Sequence, residues 1–261
     1  MRQRARIAAL ACAAALALLS ASPAADARPT QRPIVTEKDK QQEREFRRGF
    51  EAYQRGNFDQ AAEIWSTLAD EGHIKSMNNL GTMYSHGKGV GRNYSLAMLW
   101  YRRSAALGDA RAMYNIGIAH EYGRGVATSD ARAVEWYRKA ADRGLVEAMI
   151  ALGWVLSTSP DIAVRDGALA KRWVNAALRR KTSSKNLAAL AAAHAELGEY
   201  RDAVVAIERA IDYLRRETNG ADMLTSEREL FGLLRQQGRT DDLFDLLERR
   251  EFYANGQPTR D

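Results

Sequence analysis

Cysteine and proline are scarce in this chain of 261 residues, and both shortages restrict the fold. Cys12 is the single cysteine, which excludes a disulfide framework and any zinc site built on cysteines. Five prolines occur, and Pro160 is the only one between residues 34 and 257. Because proline breaks helices and this stretch is rich in Ala, Leu, Arg and Glu, the composition predicts an all-α protein.

Residues 1–27 have the three parts of a secretory signal peptide. Three arginines precede an apolar run at residues 7–19, and an Ala-Asp-Ala segment ending at Ala27 offers a cleavage site. An uncleaved membrane anchor is the alternative, but the apolar run is shorter than the roughly 20 residues that span a bilayer. We therefore expect an exported protein, periplasmic or alternatively secreted, with no stable membrane insertion after cleavage.

The positive charge of the chain is concentrated near its N-terminus. The formal net charge is +6, and removing residues 1–27, which hold three arginines and one aspartate, lowers it to +4. Residues 28–48, predicted to be a flexible charged leader, hold seven basic and four acidic residues, so the remainder carries +1. The basic composition thus reflects export and the leader, and we expect no nucleic-acid partner.

The rest of the sequence repeats with a period of 36 residues. One tryptophan and one alanine position recur with this period: Trp100 recurs as Trp136, and Ala97 as Ala133. Trp173 occupies the tryptophan position of the next unit, one residue late. The recurring glycines are Gly72, Gly108 and Gly144; Gly81, Gly117 and Gly153; Gly87 and Gly123; and Gly89 and Gly125. Repetition at this length predicts a stacked solenoid.

Each repeat has the pattern of a helix pair. The first helix is predicted at residues 75–85, and Gly87 ends it in the left-handed conformation that glycine adopts easily. Gly81 lies inside this helix, where glycine costs about 1 kcal/mol relative to alanine. Its recurrence therefore indicates that another helix crosses too closely for a Cβ atom. Asn93 and its equivalent Ser129 are predicted N-caps of the second helix.

These residues resemble the Sel1-like repeat, a subfamily of the tetratricopeptide superfamily. The match is carried by LGTMYSHGKGVGRNYSLAMLWYRRSAALGDARA and by IGIAHEYGRGVATSDARAVEWYRKAADRGLVEA. The resemblance implies an all-α, right-handed α-solenoid of stacked antiparallel helix pairs, with a Sel1-like array at residues 49–181.

The C-terminal part is similar to ordinary tetratricopeptide repeats. Residues 186–217 have a turn glycine, a tyrosine and two small residues in the expected places: Gly198, Tyr200, Ala203 and Ala210. Helices predicted at 223–237 and 241–251 then form a capping pair with a polar end. We assign residues 182–253 to these units and residues 254–261 to a tail.

Candidate contact residues lie on the first helix of the repeats. We expect Asn78, Asn79, Tyr114 and Asn115 on an inner face, where an asparagine pair can hold the backbone of an extended peptide. A solvated surface is the alternative. Tyr101 and Tyr137 are expected at a groove edge. The four histidines lack a metal-ligand spacing and no nucleophile–base set is present, so we expect no metal, no cofactor and no catalytic residue.

The resemblance implies a non-catalytic scaffold or adaptor that binds a protein or peptide partner in the bacterial cell envelope. A periplasmic regulator of a sensor or of envelope assembly is one form of this role. The alternatives are an envelope glycan-binding protein that uses its aromatic residues, and a weak hydrolase such as a Sel1-type β-lactamase. The predicted mature chain lacks the cysteines typical of the latter.

Overall fold

Eleven α-helices and one short 3₁₀ helix, with no β-strand, make up the part of the chain that the structure describes. The structure is a computed structural model, and it describes residues 36–219 and 240–256. The helices are α1 (Glu37–Gln54), α2 (Phe58–Asp70), α3 (Ile74–His86), α4 (Tyr94–Ala106), α5 (Ala110–Tyr122), α6 (Asp130–Asp142), α7 (Val146–Thr158), α8 (Gly167–Leu178), α9 (Ser184–Glu196), α10 (Tyr200–Asn219) and α11 (Thr240–Ala254). The predicted all-α class is confirmed. The predicted signal peptide, the helix predicted at 223–237 and residues 257–261 lie outside the described residues.

Consecutive helices form antiparallel pairs. In the pair α3–α4, the hydroxyl of Ser104 donates to the carbonyl of Ile74 at 3.0 Å, which joins the end of α4 to the start of α3. The backbone N–H of Asn93 donates to the carbonyl of Tyr84 at 2.8 Å, which joins the other two ends. We call the first helix of each pair the A helix (α3, α5, α7 and α9) and the second the B helix (α4, α6, α8 and α10).

A tyrosine on the B helix occupies the space that the mid-helix glycine leaves open. A Cβ atom at Gly81 would lie 2.7 Å from Cε1 of Tyr101 and 3.2 Å from the carbonyl oxygen of Ala97. Gly117 faces the ring of Tyr137 in the same way. The recurring glycine therefore marks a close crossing of the two helices of a pair.

The glycines of the A–B loop serve two purposes. Gly87 ends α3 with a φ of 68°, a left-handed conformation that strains other residues. Gly89 also has a positive φ, and its Cα faces the backbone of Phe58 so closely that no Cβ fits. Gly125 packs against the backbone of Tyr94 in the same manner. The first of these loops thus rests on the start of α2 and the second on the start of α4, which fixes the stacking of one repeat on the next.

The prediction of a flexible leader is wrong for residues 37–48, because α1 begins at Glu37. Thr36 and Asp39 form a capping box: the hydroxyl of Thr36 accepts from the backbone N–H of Asp39 at 3.1 Å, and the carboxylate of Asp39 accepts from the N–H of Thr36 at 2.7 Å. This Thr-x-x-acidic pattern was available in the sequence and marks the start of a helix.

Small residues line the buried side of the B helices. Ala97 and Ala133 are almost fully buried, and so are Ala203 and Ala210 in α10. Of the three recurring tryptophans, Trp100 is buried, whereas Trp136 and Trp173 pack against the core and are half-buried. The ammonium of Lys139 covers the ring of Trp136 at 4.2 Å from its centroid, which explains how a solvent-facing indole is accommodated.

Candidate functional site

A groove of about 990 Å³ lies along the A helices α5, α7 and α9 and the first turns of α11. We call it the A-helix groove. Its lining on α5, α6 and α7 is Tyr114, Ile118, Glu121, Tyr122, Tyr137, Val146, Glu147, Ile150, Ala151 and Trp154. Its lining elsewhere is Gly144, Leu145, Lys181, Ser183, Ser184, Lys185, Asn186, Ala188, Asp241, Asp242, Asp245 and Leu246.

Two positions on the A helix determine where this surface becomes apolar. They are four residues apart and therefore share one face of the helix. Their occupants are Asn78 and Thr82 in α3, Tyr114 and Ile118 in α5, and Ile150 and Trp154 in α7. The inner face is thus polar in the first repeat and apolar in the next two, which is where the groove lies.

Three tyrosines surround the carboxylate of Glu121 in the groove wall. The hydroxyl of Tyr137 donates to Oε2 of Glu121, and the ring centroids of Tyr137 and Tyr114 are 5.5 Å apart. Burial raises the pKa of Tyr114, Tyr122 and Tyr137, and the negative charge of Glu121 raises each of these pKa values further. The three phenols are therefore neutral at physiological pH, and Glu121 supplies a negative charge within a largely aromatic wall.

The charged residues of the lining are mostly acidic. The carboxylates belong to Glu121, Glu147, Asp241, Asp242 and Asp245, and the ammonium groups to Lys181 and Lys185. Asp245 forms an ion pair with Arg249 at 2.9 Å, and the guanidinium of Arg249 lies 4.4 Å from the ring centroid of Trp154. Arg249 is buried, although we expect a polar end for the capping pair from the sequence. Carboxylates therefore outnumber ammonium groups in the lining.

The predicted asparagines do not pair as the sequence led us to expect. Asn79 and Asn115 occupy equivalent positions, yet the side-chain amide of Asn115 donates to Oδ1 of Asn78 at 2.9 Å. Asn78 is buried at 7% exposure, while Asn79 and Asn115 are half-buried. Adjacent A helices are therefore linked by an amide–amide hydrogen bond. This bond uses one acceptor and one donor of the asparagines that we expected to hold the backbone of a peptide.

Tyr101 and Tyr137 do not form the exposed groove edge that the sequence led us to expect. Their exposed fractions are 5% and 1%, because each ring lies over the glycine of the neighbouring A helix. The hydroxyl of Tyr101 donates to the hydroxyl of Thr82 at 3.3 Å, away from the A-helix groove. Tyr137 reaches the groove wall through its hydroxyl, and Tyr114 lines the groove with its half-buried ring.

Three ligand-type side chains meet at the turn between α9 and α10. Ligand atoms of His194, Glu199 and Asp202 lie within 4.8 Å of one another. Oε2 of Glu199 already accepts from Nζ of Lys171 at 2.7 Å and pairs with Nδ1 of His194 at 2.6 Å. The bonds to Lys171 and to His194 hold the pKa of Glu199 below its usual value. Because the ammonium of Lys171 already balances the negative charge of Glu199, we interpret this cluster as an ion-pair network that joins α8 to the start of α10.

No helix within residues 36–219 or 240–256 is long and apolar enough to cross a membrane.

Comparisons with known proteins identify the repeat. The Sel1 repeat family matches residues 74–109, 110–145 and 146–180. The fold is similar to that of a Sel1 repeat protein from Oxalobacter formigenes, with 22% identity, a TM-score of 0.59, and coverage of 77% of this chain and 86% of the other. It is also similar to c5321, a protective antigen present in uropathogenic Escherichia coli strains that displays an SLR fold.

The match to c5321 has 20% identity and a TM-score of 0.57, and it covers 84% of this chain and 54% of that protein. A search of curated proteins found no significant match. At these identities the structural likeness establishes the fold, while the three consecutive family matches establish the repeat type. The chain therefore contains three consecutive Sel1 repeats, at residues 74–180.

Proposed function

We propose that this protein is a non-catalytic scaffold or adaptor in the bacterial cell envelope, and that it binds a segment of a protein partner in the A-helix groove. The observation that carries the proposal is the groove itself, which extends over three successive A helices and α11. Stacked helical repeats commonly present such extended surfaces to other proteins. The volume of about 990 Å³ is at the upper end of small-ligand pockets, which favours several consecutive side chains as the occupant.

The lining of the groove suits a protein segment because it combines apolar and charged contacts. Tyr114, Ile150 and Trp154 provide aromatic and aliphatic surface, and aromatic side chains contribute strongly to binding at protein interfaces. The carboxylates and lysines around them provide polar contacts that fix orientation. The described lining of the groove contains neither histidine nor cysteine, and we favour binding over catalysis.

A photocrosslinking experiment tests this proposal. A benzophenone amino acid replaces Ile150 in the groove or, as the control, the exposed Arg138 on the B helix α6. We expect the groove position to crosslink one protein of the native envelope, which is then identified and purified. Binding of that purified protein should be lost in Ala151→Phe, which fills the groove. Crosslinks confined to Arg138, or binding unaffected by Ala151→Phe, would contradict the proposed site.

The proposed location in the envelope depends on the predicted signal peptide, and a separate experiment tests it. We expect osmotic shock of the native host to release a protein whose intact mass corresponds to a chain beginning at Arg28. Recovery of the full-length chain in the cytoplasmic fraction would contradict export and would leave the groove proposal in place.

The glycan-binding alternative loses two of its candidate aromatic residues. Tyr101 and Tyr137 are buried beneath the A helices and cannot stack on a sugar ring. The length of the groove and its mixture of apolar and charged residues favour a protein segment as the occupant.

A further inference from the structure

We infer that the part of the A-helix groove between Tyr114, Glu121 and Tyr122 is a subsite for a cationic side chain, a lysine or an arginine, of the bound protein segment. This inference rests on the proposed function, because it specifies what the groove recognises. It places one positively charged residue of the partner beside Glu121, with apolar residues of the partner against the neighbouring surface of Ile118, Ile150 and Trp154.

The geometry brings a fixed carboxylate and aromatic rings to one place. The hydrogen bond from Tyr137 holds the side chain of Glu121 in the groove wall, and the ring of Tyr114 lies beside that of Tyr137. Tyr122, at the end of α5, is 61% exposed and shares the groove with them. A cation is attracted both by a carboxylate and by the face of an aromatic ring, and the two attractions add when they converge.

The tyrosines of this subsite lie close to negative charge. After burial, the largest cause of the raised pKa of Tyr114 is the charge of Glu121, followed by that of Glu147. The pKa of Tyr122 is also raised by burial and then by the charge of Glu121. A field that disfavours a phenolate at these positions favours an added cation there, and partial burial strengthens it relative to open solvent.

The chain itself places a cation on one of these rings. The guanidinium of Arg124 lies 5.3 Å from the ring centroid of Tyr122. Arg124 belongs to the A–B loop, and its ring contact shows that the Tyr122 ring accepts a basic group. Its positive charge also opposes a second cation nearby. Glu121 and Arg124 therefore have opposite expected effects on the binding of a basic segment.

The occupant follows from the charge of the whole lining. Carboxylates outnumber lysines around the groove, although the chain from residue 49 onward carries only +1. An acidic segment would add like charge beside Glu121 and Glu147 as water is excluded, and a purely apolar segment would add no cation to offset their charges. A segment with lysine or arginine next to apolar residues compensates them.

The test measures binding of short synthetic peptides to the full chain by tryptophan fluorescence, since Trp154 lines the groove. The three peptides are identical except at one position, which holds Lys, Gln or Glu. We expect the Lys peptide to bind most tightly of the three. Its affinity should fall as the NaCl concentration is raised. Glu121→Gln, whose amide oxygen still accepts from Tyr137, should weaken the Lys peptide about tenfold, in line with a partly buried charge pair. Arg124→Gln should strengthen it, and Tyr122→Leu should weaken it.

The matched control is Glu135→Gln, which removes the same charge from the exposed surface of α6. It should leave the affinity of the Lys peptide unchanged, and Ala151→Phe should abolish binding of every peptide. If the Gln or Glu peptide binds as tightly as the Lys peptide, or if Glu121→Gln binds the Lys peptide as tightly as the parent does, the cationic subsite is overturned. The proposed protein-binding function stands in either case. Failure of the Lys peptide to bind at all also overturns the subsite. If the groove crosslinker also captures no protein, the proposed function fails with it.

Discussion

Replacing Gly117 by alanine tests the central packing contact of the second Sel1 repeat. The added Cβ atom would overlap the ring of Tyr137, which is 1% exposed and is held by its hydrogen bond to Glu121, so it cannot swing into solvent. Overpacking of this kind costs about 1–3 kcal/mol. Alanine recovers about 1 kcal/mol because it favours the helix more than glycine does. We therefore expect a net loss of about 1 kcal/mol in the free energy of unfolding.

The assay is urea unfolding followed by far-UV circular dichroism, and Gly91→Ala is the control. A Cβ atom at Gly91 meets nothing within 4 Å, so this variant should match the parent or gain about 0.5 kcal/mol from the stiffer unfolded chain. In a Tyr137→Ala background the overlap disappears, and Gly117→Ala should become stabilising by about 1 kcal/mol through helix propensity. A Gly117→Ala variant more stable than the parent, with Tyr137 in place, would refute the reasoning.

Three further substitutions test the caps, the groove wall and the ion-pair network, all by the same unfolding assay. Asn93→Ala removes the acceptor that caps α4 at 3.0 Å and should cost about 1 kcal/mol, whereas Asn93→Asp should keep the stability. Tyr137→Phe keeps the ring over its glycine but removes the donor to Glu121, and it should cost about 1–2 kcal/mol. Glu199→Gln should be less stable than the parent at neutral pH. Because the folded pKa of Glu199 is lowered, its contribution is present above the unfolded pKa and is lost as the pH falls through the folded pKa, so the two proteins should converge in acid.

Each of these expectations has a clear contrary result. Equal stability of Asn93→Ala and the parent would mean that the cap is replaced by water. An unchanged Tyr137→Phe would mean that the phenol–carboxylate bond contributes little to the wall of the groove. A difference between Glu199→Gln and the parent that persists in acid would show that the substitution acts through packing and not through the charge.

The sequence predicted the repeats because they depend on local chemistry. Glycines with positive φ at Gly87 and Gly89, side-chain caps at Asn93 and Ser129, and glycines where helices cross are requirements of the backbone itself. The loop glycines recur in the first two Sel1 repeats and the crossing glycine in all three, so a period of 36 residues reveals them without any knowledge of the partner elements. The start of α1 was missed although its capping box at Thr36 was present, because the charged composition of residues 28–48 outweighed it.

The tertiary structure decided which residues form the groove. Ala97, Trp100 and Tyr101 all fit one apolar stripe by helical spacing, and the spacing does not say which of the two rings covers Gly81. The crossing of the two helices places the ring of Tyr101 over Gly81. The same crossing in the next repeat places the ring of Tyr137 over Gly117. The groove also joins α5, α7, α9 and α11, and periodicity within one helix cannot show which faces of separate helices converge. The sequence therefore determined the repeating unit, while the stacking of units determined the surface that it presents.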